Sequence, residues 1–303
     1  MGFLTQSRLM KAAFVAVLLA GVCGTAVAQN NPPAPKTTDL GSGIFVIFGA
    51  GGNIGVSTGP DGAFVIDDQY PNSAAANLAK IQELAGGAPR YLVNTHWHGD
   101  HAGGNEAFAK AGAMIFAHEN VRKRLSGETK SIGFDGKQAA AAPEPAWPVI
   151  TFTEGVDFHL NDENIRVFKV RASHTDGDSM IYFAEPDILH MGDVFFNGLF
   201  PVIDPGSGGS VEGYLAAMKD TLATVTDKTR IIPGHGDMAT KADLQKQIAM
   251  LEGAIKAVQA RIKAGDTLQQ AIARKPLKPW ASFGWSFISE DIFTTTLYNG
   301  LKK

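Results

Sequence analysis

Short runs of β-branched and aromatic residues, bounded by glycine, alternate along this chain with longer stretches whose apolar residues recur at helical spacing. Residues 44–48, 53–57 and 63–67 are of the first kind and predict an antiparallel meander. Ala76, Leu78, Ile81 and Leu84 place a helix over 73–84, and 90–94 reads as a strand. Helix composition returns at 102–110 and 118–125 around an apolar strand at 113–117, with His118 in a structural place. Residues 126–149 lack periodicity and are rich in Gly, Ala and Pro, which predicts a surface excursion bordering the functional site.

The same logic then repeats. Strands are predicted over 157–160, 165–171, 180–184 and 187–191, followed by a helix at 210–223, a strand at 230–232 and helices at 242–263, 268–274 and 290–301. Two strand-rich halves, each followed by helices, predict an α/β (α+β) protein of two packed sheets with helices outside. His159 is expected on a sheet surface. The segment Gly206-Ser207-Gly208-Gly209-Ser210 lacks the lysine of a phosphate loop and reads as a loop and helix cap. Trp280, Phe283, Trp285 and Phe287 fit either a pocket wall or a C-terminal packing cluster.

The N-terminus changes the picture of the mature chain. Arg8 and Lys11 precede an apolar stretch that ends in Ala26-Val27-Ala28, the pattern of a signal peptide over 1–28 cleaved after Ala28. Gly21, Gly24 and Thr25 interrupt the run, so stable membrane insertion after cleavage is not expected, and a periplasmic or secreted location is. Residues 29–42 read as a linker, and 43–303 as one domain. The only cysteine is Cys23, so the mature chain has no disulfide and no thiolate ligand. Removing two basic residues and no acidic one takes the formal charge from -3 to -5, which argues against a nucleic-acid partner.

His96-Trp97-His98-Gly99-Asp100-His101 then puts three imidazoles and a carboxylate into six residues. Neutral imidazole nitrogen and carboxylate oxygen suit zinc, and ligands this dense can feed two adjacent centres. His174 and His235 lie in glycine-bearing loops after apolar runs and complete five of the chain's eight histidines in this reading. Asp193 leaves a buried strand and is a further candidate. His190 is expected to support the site or the core. Asp67 and Asp68, also after a strand, are candidates to accept hydrogen bonds from ligand histidines.

Thr95 to His101, His174, Gly192-Asp193 and Pro233-Gly234-His235-Gly236 resemble the metallo-β-lactamase superfamily over roughly residues 43–251. The resemblance implies an αββα four-layer sandwich with two Zn2+ per chain. The first zinc would be held by His96, His98 and His174, and the second by Asp100, His101 and His235. Asp193 would bridge them or bind the second. Zinc lowers the pKa of bound water to about 7, and Asp100 would orient the resulting hydroxide. Trp97 is assigned to packing away from the metals and Gly99 to the tight loop.

The substrate expected is a small molecule with a cyclic or activated carbonyl. The run from His174 to Phe196 is similar to secreted β-lactamases that carry cysteine at the second zinc. Here Asp193 stands at the cysteine, and Phe196 stands where those enzymes grip the β-lactam carboxylate with lysine. Export places β-lactam opening first. A lactonase or glyoxalase II-like thioesterase is the alternative, and a non-catalytic zinc-binding accessory protein stands behind both.

Overall fold

A computed structural model describes residues 34–132 and 137–302. The segment expected to be a signal peptide and the start of the expected linker lie outside the described residues. One sheet takes its strands in sequence order: β1 (Lys36–Asp39), β2 (Ile44–Phe48), β3 (Ile54–Ser57), β4 (Ala63–Ile66), β5 (Pro89–Val93), β6 (Met114–His118) and β7 (Ile150–Phe152). The other has the order β12 (Arg230–His235), β11 (Ile188–Phe196), β10 (Ser179–Phe183), β9 (Glu163–Lys169) and β8 (Gly155–Leu160). Pairing is antiparallel from β1 to β4 and from β8 to β11. It is parallel for β4–β5, β5–β6, β6–β7 and β11–β12.

Helices cover the outer faces of both sheets. They are α1 (Ala74–Ala85), α2 (Gly99–Ala102), α3 (Asn105–Lys110), α4 (Glu119–Leu125), α5 (Val211–Thr224), α6 (Lys241–Lys263), α7 (Leu268–Ala273) and α8 (Glu290–Leu301). Strand alternation explains why β4 is buried at every position. Phe64 and Ile66 join the core between the sheets, while Ala63 and Val65 pack with Ala74 and Ile81 of α1 and Phe108 of α3. On the opposite side, Leu189 and Met191 of β11 pack with Tyr214 of α5, Leu244 and Leu251 of α6 and Phe293 of α8. The result is the αββα sandwich. Phe158 fastens the two sheets by edge-on contacts with Phe64 and Phe116 at 5.0 and 4.9 Å, each worth about 0.5–1.5 kcal/mol beyond area burial.

Several boundaries differ from the sequence reading, and the strand expected over 230–232 runs on to include His235. The linker assigned to 29–42 contains β1, an edge strand whose Lys36 pairs with Phe48 and Thr38 with Val46. Its polar pattern hid it, because an edge strand needs only one partner and little apolar surface. The helix expected over 102–110 is two, α2 and α3, separated at Gly103 and Gly104. The strand expected to stop at Met191 runs on to Phe196, with register shifts around Gly192 at φ +48°, and Asp193 sits within it. The parallel pairs set up the site, since β4, β5 and β12 end on the same side and their following loops converge. Among the described residues, no helix is long and apolar enough to cross a membrane.

Candidate metal centre

Beyond β5 the chain stays non-helical to His98, which starts α2 with extended backbone at φ -63°, ψ 149°. His96 and His98, two residues apart before the helix begins, reach one group with His174 and Asp193. Asp100 and His101 lie on the helical turn and reach a second group with His235. All seven residues singled out from the sequence are thus brought together, as two clusters with potential ligand atoms within 4.8 Å of one another.

Asp193 joins the clusters through opposite oxygens. Its Oδ2 lies 3.8 Å from His96 Nε2 and 3.4 Å from His174 Nε2, while Oδ1 lies 3.0 Å from His101 Nε2 and 3.4 Å from His235 Nε2. Asp100 Oδ2 is 3.2 Å from His235 Nε2 and 3.7 Å from His101 Nε2. Two glycines make room for this crowding. A Cβ on Gly52 would fall 2.0 Å from the His101 ring, and one on Gly234 would fall 2.1 Å from Asp193 Oδ1.

The outer ring nitrogens are committed elsewhere, which fixes the tautomers. Thr95 Oγ1 donates to Asp67 Oδ2 at 2.8 Å and accepts from His96 Nδ1 at 3.0 Å. His174 Nδ1 donates to the Val202 carbonyl at 2.8 Å, and His98 Nε2 donates to Asp204 Oδ2 at 2.9 Å. His98 Nδ1 and His174 Nε2 face each other at 2.8 Å, both turned into the cluster. His96 Nε2 is buried with no hydrogen-bond partner. Such a set of inward atoms, all nitrogen and oxygen, fits a divalent cation and leaves unfavourable contacts without one.

Charge divides the clusters in the same way. Burial, then the His101 and His174 rings, hold His96 well below the usual histidine range, and burial also holds His174 below it. Both are in the neutral form that donates a lone pair. Burial opposes protonation of His101 too, but Asp193, Asp100 and Asp67 outweigh it and raise it well above normal. His235 reaches about 9 against its burial, through Asp193 and its hydrogen bond with Asp100. Burial pushes Asp193 and Asp100 up, yet His101 and His235 pull Asp193 well below the carboxylate range and Asp100 to about 2. The two carboxylates demand positive charge, which is what a bound cation supplies.

The neighbours sort differently from the sequence expectations. Asp67 accepts from Thr95 N at 2.7 Å and from His101 Nδ1 at 2.7 Å, tying the motif to the end of β4. Asp67 holds a left-handed φ of +62° to do so. Asp68 does not share this role: its carboxylate turns to Gly104 N at 2.7 Å, and burial raises it well above the usual range. His190 is buried and donates to Asn53 O at 2.9 Å, and Asn53 in turn holds the carbonyls of Pro233 and Gly236 around His235. His118 caps α4 by accepting from Asn120 N, His159 is exposed and Ser210 caps α5.

A cavity of about 530 Å³ opens over both clusters. Trp97 lines it rather than pointing away, because its Nε1 donates to Ser207 Oγ at 3.1 Å. Gly99 also lines it, and a Cβ there would meet nothing, so loop tightness does not require that glycine. Phe196 stacks on His235 with centroids 4.9 Å apart and planes 14° apart, and Trp285 and Phe287 continue the wall outward. Phe283 belongs to the core instead, and Trp280 packs against Gly253. No described residue of the 126–149 excursion lines the cavity. Tyr70, Val202 and Asp204 do, and sequence reasoning missed all three. Only Asp204 carried a signal, an aspartate opening a Pro-Gly turn.

Relatives give this geometry a context. A hydroxyacylglutathione hydrolase of Polaromonas sp. is 28% identical over 150 residues, which are 48% of this chain and 47% of that protein. The chain thus spans about half the length of this relative. The acyl-coenzyme A thioesterase MBLAC2 of Gallus gallus is 27% identical over 225 residues, covering 66% of this chain and 79% of the relative. Among solved structures, a metallo-beta-lactamase from Pontibacter korlensis superposes with a TM-score of 0.60 at 18% identity, over 72% of this chain and 99% of that one. The sec-alkylsulfatase Pisa1 from Pseudomonas sp. gives 0.63 at 17% identity, over 88% and 51%. The sequence profile of the metallo-beta-lactamase superfamily matches residues 47–235, a stretch that begins in β2 and ends on the histidine closing the second cluster. With sandwich, clusters and profile in agreement, the chain belongs to the metallo-beta-lactamase superfamily, whose members include hydrolases.

Proposed function

We propose that this protein is a two-zinc hydrolase that opens uncharged esters of the lactone or thioester kind carrying an apolar acyl part. The carrying observation is the cavity wall. Phe196, Trp285, Phe287, Trp97, Tyr70 and Val202 surround the clusters, Asp100 and Asp204 add negative charge, and no lysine or arginine lines the cavity among the described residues. A substrate carboxylate would meet two acids and no ammonium or guanidinium. That lost charge-assisted contact is worth about 1.5–3 kcal/mol. Phe196, stacked on His235, takes the place where a carboxylate clamp would stand. This lowers β-lactam opening below the ester reading, reversing the order that export alone suggested. The names of the Polaromonas and Gallus relatives, a hydroxyacylglutathione hydrolase and an acyl-coenzyme A thioesterase, support hydrolysis of an acyl bond.

Bound cations would supply Lewis acidity and a nucleophilic water near neutral pH. His96, His98 and His174 would hold one, Asp100, His101 and His235 the other, and Asp193, which lies between the two clusters, would serve both or the second. Asp100 lies at the cavity beside His235, with its carboxylate placed to accept a hydrogen bond from the attacking water and orient it. The aromatic wall binds the acyl part and keeps bulk water off the carbonyl. Addition of water across the acyl bond gives a carboxylic acid and an alcohol or thiol.

The test is a substrate panel on purified protein before and after chelation: p-nitrophenyl esters of increasing acyl length, a lactone, an acyl thioester and nitrocefin. Chelator-sensitive turnover that rises with acyl length is expected. Turnover of nitrocefin alone, or ester turnover indifferent to chelation, would overturn the proposal. Export belongs to the same reading: protein recovered outside the cytoplasm should begin at Gln29, and an intact Met1 would contradict it.

A further inference from the structure

Segment 202–204 touches two of the histidines in the first cluster from one side. The Val202 carbonyl accepts from His174 Nδ1 at 2.8 Å, the Asp204 backbone N–H donates to the His174 carbonyl at 3.0 Å, and Asp204 Oδ2 accepts from His98 Nε2 at 2.9 Å. Asp204 is 5% exposed, so its carboxylate is held where few waters can compete. The same oxygen accepts from Ser207 Oγ at 2.5 Å, and the turn is closed by Ser207 N and Gly209 N on the Asp204 carbonyl at 3.1 and 2.8 Å.

This turn is fixed from outside as well. Ser207 O accepts from Asp176 N at 2.9 Å, and Arg124 grips the Asp176 carboxylate with Nε at 3.0 Å and Nη2 at 2.5 Å. Arg124 Nη1 donates in turn to Ser131 Oγ at 3.0 Å. A line of polar contacts therefore runs from His98 through Asp204, Ser207 and Asp176 to Arg124 at the end of α4. None of the family-like motifs in the sequence includes Asp204, which lies 106 residues from His98.

We propose that Asp204 is a positioning residue for the first cluster: by accepting a hydrogen bond from His98 Nε2–H it leaves Nδ1 as the atom that would bind a cation. This rests on the metal reading of the site but not on the choice of substrate. His98 differs here from His96 and His174, whose Nε2 atoms face inward. Without the carboxylate, the His98 ring is free to carry its proton on Nδ1, which turns a donor toward the cation and loses the ligand. A carboxylate partner also raises the basicity of the imidazole it holds.

The experiment is stepwise metal uptake by the full chain, Zn2+ against a competing chelator, with the visible d–d spectrum of the Co2+ form as a second readout. Asp204→Ala should weaken the tighter site by about 10- to 100-fold, leave the weaker site within about threefold and alter the cobalt spectrum. Asp204→Asn keeps an acceptor without the charge and should fall between the alanine variant and the wild type. Ser207→Ala, which loosens the turn but spares the His98 contact, should stay within about threefold of wild type.

Three results would overturn the assignment. These are an Asp204→Asn protein that binds metal as tightly as wild type with an unchanged cobalt spectrum, a folded Asp204→Ala protein that does so, and a Ser207→Ala loss as large as that of Asp204→Ala. The asparagine variant decides if the alanine variant does not fold. A wild-type chain that takes up no metal would overturn the metal reading and this assignment together. Normal uptake with the wrong substrate panel would overturn only the proposed function.

Discussion

His96, His98 and His174 each have an outer ring nitrogen committed to the protein, to Thr95 Oγ1, Asp204 and the Val202 carbonyl. Their side chains are 9% exposed or less. In the other cluster only His101 is fixed that way, by Asp67, while His235 rests on the face of Phe196. Asp100 and His235 remain 20% and 15% exposed at the cavity. Two clusters of similar ligand count therefore differ in how much of their geometry the fold has arranged beforehand. A prearranged site binds more tightly because less ordering remains to be done on binding. The buried cluster should act as the permanent metal site and the open one as the exchangeable, substrate-facing site.

Asp193→Ala removes the residue common to both clusters and so gives the largest effect, a fall in kcat of about 100- to 1000-fold with loss of the second metal equivalent. Metal content and single-turnover rates check it; retention of two metals would mean that the carboxylate does not join the clusters. His174→Ala against His235→Ala comes next. The first should cost more metal affinity than the second, and equal losses would erase the distinction between the two clusters.

Phe196→Ala tests the stacking support alone. It should weaken the open site by about two- to tenfold, from the 0.5–1.5 kcal/mol of an aromatic pair, and leave the buried site unchanged in the same titration. Replacing Trp285 or Phe287 by alanine should raise KM for long-chain esters about tenfold with little change in kcat, the pattern of lost uniform binding.

The smallest effect lies far from the two clusters. Glu163 at the start of β9 is raised to about 7 by burial, then by sharing a hydrogen bond with Glu185 and by its charge. A carboxyl whose folded pKa lies above its unfolded value weakens the fold as pH rises from about 4.5 to 7, because the folded state holds the proton longer. Glu163→Gln should flatten the fall of Tm across that window and leave metal uptake untouched. A change in uptake would show that the strand ends communicate.

The part of the site lying on the His96–His101 motif was legible because six adjacent residues carried its chemistry and the break between extended chain and helix divided them. His174, Asp193 and His235 were legible through the apolar runs before them and the family resemblance, although Asp193 and His235 lie within β11 and β12. Asp204 was not, since its meaning comes only from a partner 106 residues away. The antiparallel meander of β2, β3 and β4 was legible because those strands are apolar. The polar edge strand β1 and the split between α2 and α3 escaped because pairing and close glycine contacts are tertiary facts. Trp97 was misplaced for a similar reason: only folding brings Ser207 to its indole and turns it to the cavity wall.

The most direct measurement is Zn2+ titration of the purified chain, stripped of metal, with stoichiometry and both dissociation constants resolved and ester turnover followed in the same samples. The expectation is two equivalents, one bound clearly more tightly, with full turnover only when the second is filled. A single equivalent, two equal sites or turnover that persists without metal would contradict it.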